Sequence, residues 1–472
     1  MIHYNQHLID GDMRTATSAA TTTIHDSTTE APIASVAHGS ASEVDAAVVA
    51  ARRAFPHWAN TSVDERASYL RAIADALEAR SDRMADAVVA EVGMPLKLAR
   101  RIQVQAPIAA WRAAASLVAD ALAQMRVAHS VITKEPAGVV AAITPWNYPL
   151  HQITAKLAAA LAAGCCVVLK PSELAPGVVG ALCEAVLDAR LPRGVLNIVH
   201  GDRATGAALV AHPGIDMVSF TGSTVAGKQI AATAGAELKR VALELGGKSA
   251  SIALPDADQA MVVKHALSSC MLNSGQTCSA ITRLIVPEAQ YAAYREQLRQ
   301  GVAKLRVGDP RDADSRIGPL VSADHRRRVQ AYIARAEQAG HDDIAIDVKP
   351  DVPPRGYFVA PAIFGRVPIG AELAQEEVFG PVLAVQTYST EDEAVALANG
   401  TAYGLAGAVW SASAEHAQRV ARRMRAGQID INGAPFNALA PFGGFGASGT
   451  GREGGAFGIE EFVELRAIQL AQ

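Results

Sequence analysis

Three consecutive stretches decide the fold. They are Gly138-Val-Val-Ala-Ala-Ile-Thr144, then Pro145-Trp-Asn-Tyr-Pro149 leading into residues 150–163, then Cys165-Cys-Val-Val-Leu169 running into Lys170-Pro-Ser-Glu173. The first is rich in β-branched residues and reads as a strand. Two prolines make the second a rigid loop, and a helical pattern follows to Ala163. The third is a continuous apolar run, the signature of a strand buried on both faces. Strand, helix and strand in this order form a βαβ unit, and such units build parallel sheets.

The alternation continues outward. Downstream come a helix at Gly177–Ala189, a strand at Val195–His200, a helix at Ala204–Ala211 and a strand at Met217–Thr221. A second alternating run starts near Ser249. It holds strand Thr282–Val286, a long helix to Leu305, strand Val382–Thr387, helix Glu391–Ala398 and strand Gly407–Ser411. Upstream, Ser42 reads as the cap of a helix running to Phe55. Further helical patterns span Asp64–Glu91, interrupted at Ser81–Asp82 and stopped by Gly93–Met94–Pro95, and then Gln103–Met125. Ser130–Thr133 reads as a strand. The first ~40 residues carry weak strand signals and are expected to lie along the surface of the domain that follows.

At roughly 150 residues per domain, 472 residues suggest about three units. Half the residues are hydrophobic but only 5% are aromatic, so the core must be built from small aliphatic side chains. This composition excludes disorder as the dominant state. Lys+Arg 43 against Asp+Glu 47 gives a net charge of −4, which argues against nucleic-acid binding driven by positive charge. The five cysteines are an odd number in a long chain, so they describe no disulfide framework and point to a reducing compartment, the cytoplasm. No signal peptide is read at the N-terminus. The longest apolar run, Leu157–Leu169, is too short to span a bilayer. No metal site is expected.

Four local features can carry chemistry, and each also has a plainer reading. Cys278, in Asn273-Ser-Gly-Gln-Thr-Cys-Ser279, is either a positioned nucleophile or a buried small hydrophobe. Gln276, Thr277 and Ser279 beside it are poor core partners and favour the nucleophile. Glu244, in Leu243-Glu-Leu-Gly-Gly-Lys-Ser249, sits between leucines at a Gly-Gly turn. It is either a desolvated general base or a strand-end glutamate paired with Lys248. Asn147, between two prolines, is either a rigid oxyanion donor or a turn residue satisfying its own loop. Lys170-Pro-Ser-Glu173 follows a buried strand, where α/β sheets bind nucleotides, or is a loop whose Ser172 caps the next helix. The dinucleotide fingerprint G-x-G-x-x-G is absent. Its nearest match is Gly201-Asp-Arg-Ala-Thr-Gly206, followed by Phe220-Thr-Gly-Ser223.

Together these residues resemble the aldehyde dehydrogenase superfamily, from about Val36 to Leu465. Seven motifs stand in the family's order: PWNYP, KPSE, FTGST, LELGGKS, GQTC, EEVFGPV and PFGG…SGTGRE. Asn147 to Glu244 is 97 residues, Glu244 to Cys278 is 34 and Cys278 to Glu377 is 99. The resemblance implies that Cys278 attacks the aldehyde and that Asn147, with the Cys278 backbone N–H, holds the oxyanion. Glu244 would then activate water to hydrolyse the thioester. It further implies an NAD site at Trp146, Lys170, Ser172, Glu173, Gly201, Gly206, Phe220, Ser223, Leu245, Glu377 and Phe379. Glu173 would disfavour a 2′-phosphate, so NAD is preferred and NADP is possible. Lys156 and Glu453 match a secondary polar pair near the water route. Tyr148, Gln152, Thr277, Ser279, Phe436 and Leu439 would line the substrate pocket.

The implied fold is α/β. A Rossmann-like cofactor domain spans residues 1–116 and 136–246, and a second α/β domain, residues 247–447, carries the nucleophile. A small β extension, residues 117–135 and 448–472, pairs subunits into a homodimer or homotetramer. Segment 434–440 carries no charge, which favours a neutral aliphatic or aromatic aldehyde over the charged aldehyde of a semialdehyde dehydrogenase. A CoA-acylating variant would not need Glu244. A cysteine hydrolase that uses no nicotinamide and a non-catalytic relative are the remaining alternatives. No nucleic-acid or membrane partner is expected.

Overall fold

The computed structural model describes residues 1–471. The opening βαβ unit forms as the sequence dictates. Strands Val139–Ile143 and Cys166–Lys170 are buried throughout and pair in parallel. The helix between them, Pro149–Ala163, begins on a proline and ends at Gly164, whose φ of 95° is a left-handed stop. Its alanine-rich sequence leaves little side chain between backbones, and nearly the whole helix is buried.

An eight-stranded sheet grows from this unit. Its order is Gly449–Thr450, Arg240–Glu244, Met217–Thr221, Val139–Ile143, Cys166–Lys170, Leu196–Ile198, Gln6–Ile9, Asp12–Thr15. The inner strands are parallel, and antiparallel strands close both edges. Chain order reverses between Val139–Ile143 and Met217–Thr221, so the crevice beyond their carboxyl ends is the expected ligand site. A seven-stranded sheet follows, in the order Asp342–Asp343, Ala362–Gly365, Val382–Tyr388, Ile281–Pro287, Ser249–Ala253, Ala406–Trp410, Gln428–Ile431. Only its Asp342–Asp343 edge is antiparallel. Val463–Gln469, Ser130–Pro136 and Met125–Val127 form a separate antiparallel sheet. The α/β class with two sheet domains and a β extension is the architecture the sequence implied.

Several expectations need correction. The hairpin does not start at 117, because residues 106–121 are helix, with Val118 and Ala121 buried in the main core. Met125 consequently opens a strand and does not end a helix. Nor does all of 448–472 belong to the extension. Gly449–Thr450 pairs with Arg240–Glu244, and the helix Gly455–Glu460 packs on Ala106–Ala121 and Pro149–Ala163. The N-terminal residues are more than a surface wrap, since Gln6–Ile9 and Asp12–Thr15 complete the large sheet. The first helix is capped at Ser40, not Ser42. Glu43 accepts from the Ser40 N–H at 2.8 Å and from the Thr17 N–H at 2.8 Å, which ties the N-terminal segment to that cap. Helices Gln259–Met271 and Ala323–Gln338 fall in stretches where no element was expected.

Trp111 lies fully buried where helix Ala106–Ala121 joins the main core. Trp111→Ala should cost about 3–5 kcal/mol by leaving a cavity that cannot close. The measurement is the denaturant midpoint of unfolding, which should fall well below wild type.

Candidate active site

The motif residues gather where the two sheets meet. On the large sheet they follow strand carboxyl ends. Thr144–Asn147 follows Ile143, Lys170 ends its strand, Ser223 follows Thr221, and Glu244 ends Arg240–Glu244. On the second sheet they precede strand amino ends. Cys278 precedes Ile281–Pro287, and Glu377 and Phe379 precede Val382–Tyr388. Only residues 245–248 separate the two sheets, and glycines 246 and 247 let the edges close. A Cβ on Gly246 would lie 2.2 Å from Glu377 Oε2, and one on Gly247 would lie 2.5 Å from the Cys278 carbonyl oxygen.

The Cys278 loop is built before the cysteine is reached. Asn273, Ser274 and Gly275 all have positive φ, near 51°, 58° and 78°. This left-handed turn is costly for the two non-glycine residues and needs fixed surroundings. The Asn273 Nδ2 group donates to the Asn147 carbonyl at 3.0 Å. Gln276 is fully buried. Its Nε2 donates to the Asn273 carbonyl at 3.0 Å and its Oε1 accepts from the Val321 N–H at 2.9 Å. Gln276 is thus a good core partner after all, because its amide is matched to backbone groups. Cys278 itself stays partly accessible. Burial of the sulfur, then Glu377 and Glu244, push its thiol up to about 12.

Asn147 is not a turn residue serving its own loop. Its Nδ2 donates to the Gln276 carbonyl at 3.0 Å, and its own carbonyl also accepts from Gln103 Nε2 at 2.8 Å. One Nδ2 hydrogen stays free beside the cysteine loop. Tyr148 and Thr277 join their hydroxyls at 2.7 Å, which ties the substrate-wall candidates of both sheets together. Gln152 is buried nearby on the next helical turn. Ser279 is half-buried beside Cys278. Phe436 and Leu439 are 53% and 54% exposed, and the Phe436 ring meets Phe442 at 6.0 Å.

Glu244 makes no pair with Lys248. Both its carboxylate oxygens are buried without a hydrogen-bond partner, and so is Lys248 Nζ. Burial and then the Glu453 charge hold Glu244 well above the ordinary glutamate range, while Lys156 and Arg452 pull it back. Lys156, 1% exposed, binds Glu453 at 2.7 Å, so the secondary polar pair exists and lies within electrostatic reach of Glu244.

The nucleotide candidates lie at or beyond the carboxyl ends of the large sheet's strands, or just before strand Val382–Tyr388. Lys170 Nζ meets Glu173 Oε2 at 3.2 Å, and Gly206 faces the Lys170 stem, its notional Cβ lying 3.8 Å from Cδ. Gly201 packs on Thr205. Ser223 caps helix Thr224–Ala236 by accepting from the Ala226 N–H at 3.3 Å, and the start of that helix is open to solvent. Glu377 accepts from the Gly247 N–H at 3.1 Å, and burial pushes its carboxyl up to about 7. Trp146 and Phe379 meet edge to face at 5.6 Å. Phe220 and Leu245 are largely buried. Both are core residues, with Leu245 packed beneath Gly227 of the helix. Ser172 accepts from the Leu174 N–H at 3.2 Å, so it makes a turn and does not cap the helix, which starts at Pro176. These groups fit a dinucleotide: a cation and carboxylate at one end, an open helix start midway, and a carboxylate and aromatic wall at the other. The sequence reading gave no role to Asn273, Gln103 or His325, each of which contacts a backbone carbonyl of the site through its side chain.

Residues 14–468 match the model of the aldehyde dehydrogenase family. The chain is 42% identical over 471 residues to 3-succinoylsemialdehyde-pyridine dehydrogenase of a Pseudomonas species, covering 99% of both chains. It is 42% identical to aldehyde dehydrogenase C of Pseudomonas syringae, solved as a cysteine-to-alanine mutant with NAD+ and octanal. The TM-score is 0.96, covering 99% of this chain and 96% of that one. A Mycobacterium tuberculosis aldehyde dehydrogenase complexed with NAD+ is 36% identical, with a TM-score of 0.95 over 100% of this chain and 99% of that one.

A Cβ on Gly275 would lie 2.1 Å from the carbonyl carbon and oxygen of Gly380. Gly275→Ala should therefore displace the cysteine loop as well as lower stability. Thiol labelling of the native protein should show Cys278 reacting at a changed rate, while the four fully buried cysteines stay protected.

Proposed function

Because the chain belongs to the aldehyde dehydrogenase family, we propose that it oxidises an aldehyde to the carboxylic acid at Cys278, with NAD as the preferred cofactor and NADP as a possible one. The observation that carries this reading is the convergence of Asn147, Glu244 and Glu377 on the Cys278 loop from two different sheets. The bound NAD+ of the Pseudomonas syringae and Mycobacterium tuberculosis structures supports the cofactor.

NAD, when bound, accepts a hydride and brings a positive charge. The protein's own residues do the rest. The Cys278 thiol gives up its proton to solvent as its sulfur adds to the aldehyde carbonyl. The free Nδ2 hydrogen of Asn147, fixed in direction by its bond to Gln276, donates to the oxyanion, together with the Cys278 N–H. Loss of hydride leaves a thioester on Cys278. Glu244, with no hydrogen bond to break, takes a proton from water, and the resulting hydroxide attacks the thioester. Lys156 and Glu453 hold charge beside Glu244 and tune its basicity. Lys170 and Glu173 would hold the adenosine ribose, with the carboxylate disfavouring a 2′-phosphate. Ser223 and the helix start would meet the pyrophosphate, and Glu377 the second ribose.

The preferred substrate is a neutral aliphatic or aromatic aldehyde. The uncharged 434–440 segment exposes Phe436 and Leu439, and the octanal of the Pseudomonas syringae structure is such a ligand. A homodimer or homotetramer is the proposed assembly. Both edge strands of the three-stranded extension carry exposed apolar residues, Met125 and Val127 on one and Leu465 and Ile468 on the other, suited to a second copy. A cytoplasmic setting suits the five free cysteines. Among the described residues no helix is long and apolar enough to cross a membrane.

Glu244→Gln should release about one equivalent of NADH in a burst, then turn over roughly 10²–10⁴-fold more slowly. A variant with no burst and no steady rate, or one with unchanged turnover, would remove Glu244 from the hydrolysis step. In the wild type the raised Glu244 carboxyl is more protonated near neutral pH than an ordinary glutamate. Hydrolysis-limited turnover therefore climbs as pH rises and the carboxylate forms. In a panel of aldehydes, kcat/KM for octanal should exceed that for succinic semialdehyde by at least about tenfold. The reverse order would assign a charged-aldehyde enzyme.

A further inference from the structure

Phe379 stands at φ 60°, a left-handed conformation that strains a bulky aromatic residue. Such a residue persists only where its surroundings over-determine it. Three contacts do so here. The following residue, Gly380, is wedged against Gly275 of the cysteine loop. Two residues earlier, Glu377 is tied to the Gly247 N–H. The third contact falls on Phe379 itself: His325 Nε2 lies 2.7 Å from its carbonyl oxygen.

The His325 contact is well defined. His325 lies in the first turn of helix Ala323–Gln338, and its N–H is received by the Ser322 cap at 3.2 Å. A carbonyl oxygen only accepts, so Nε2 carries the proton and the tautomer is set. Burial pushes the ring down to about 4, so it is neutral at working pH. The His325 ring also touches Trp146 at 5.5 Å and Phe379 at 5.9 Å. Trp146, Phe379 and His325 thus form a closed triangle of rings. One comes from the large sheet, one from the second sheet and one from helix Ala323–Gln338.

We propose that His325 is a positioning residue: it holds the Phe379 peptide in its left-handed conformation, and so holds the Phe379–Trp146 wall against which the reactive end of the cofactor lies. This rests on the cofactor reading above. Nothing in it requires His325 to touch the cofactor or the substrate. The consequence is selective. Loss of the bond loosens the wall at the nicotinamide end, while the adenosine end at Lys170 and Ser223 is untouched.

The test is equilibrium binding by calorimetry of NAD and of ADP-ribose, which lacks the nicotinamide. The proteins are wild type, His325→Leu, which removes the donor, and His325→Gln, which keeps an N–H donor. The expected result is a Kd for NAD about tenfold weaker in His325→Leu, with the ADP-ribose Kd unchanged and His325→Gln within about twofold of wild type. Retained ADP-ribose binding also shows that the variant is folded. The inference is overturned if His325→Leu binds NAD as wild type does, if both nucleotides weaken together, or if His325→Gln is as weak as His325→Leu. A wild-type protein that binds neither nucleotide overturns the cofactor reading, and this inference with it. That result is visible before any variant is made.

Discussion

The site depends on how closely two sheet edges can approach. The large sheet ends its parallel strands at Thr144, Lys170, Thr221 and Glu244, and the second sheet begins its own just beyond Cys278 and Glu377. Facing edges of this kind carry loops on both sides, and side chains at the junction would hold the sheets apart. Glycines 246 and 247 remove that obstacle, so Glu377 and the Cys278 backbone can sit against the crossing strand. Every other contact in the site follows from this closure. Asn147 can reach the Gln276 carbonyl, Tyr148 can reach Thr277, and Trp146 can meet Phe379 only because the edges are this near.

Closure has an electrostatic consequence. It brings Glu244, Glu377 and the Glu453–Lys156 pair into a desolvated space around one thiol. Carboxylates raise a thiol's pKa and disfavour its ionised form. The resting site therefore holds a protonated, weakly nucleophilic cysteine beside carboxyls that are themselves pushed up. A cation placed beside them would lower both the thiol and the carboxyls. Lys248 does not supply one. Its amine is buried without a hydrogen-bond partner, and burial brings it down to about 8.

Local chemistry explains what could be read in the sequence. Runs such as Val139–Ile143 and Met217–Thr221 announce strands because each is apolar and short, and the structure keeps them within a residue or so. Cys278, Glu244 and Asn147 could be singled out because each sits in a distinctive setting of glycine or proline, and the structure brings them together. The extension boundary was not legible, since residues 117–121 continue a helix whose apolar spacing looks the same whether it packs on the core or ends there. Phe220 and Leu245, both named by motifs, are largely buried, Phe220 on strand Met217–Thr221 and Leu245 just past strand Arg240–Glu244. His325 was hidden because its contribution is one hydrogen bond to a backbone carbonyl, a partner that any residue can offer.

The second sheet offers a contrast at its own carboxyl edge. Its chain order also reverses, between Ser249–Ala253 and Ala406–Trp410, so it too has a switch point at its carboxyl edge. There, however, the strand ends are tied to one another. Ser411 Oγ donates to Asp256 at 2.8 Å, and the Ser411 N–H donates to Asn432 Oδ1 at 3.0 Å. Asn432 Nδ2 returns a bond to the Ser411 carbonyl at 2.9 Å, and Trp410 Nε1 is held by Ser251 Oγ at 3.1 Å. Groups that could receive a ligand are already satisfied by their neighbours. At the large sheet the corresponding groups are left free: the helix start beyond Ser223 is open, Glu244 is unpartnered, and Lys170 holds only Glu173. Two switch points of the same topology thus differ in how many polar groups they leave open, because one edge has spent its hydrogen bonds on itself.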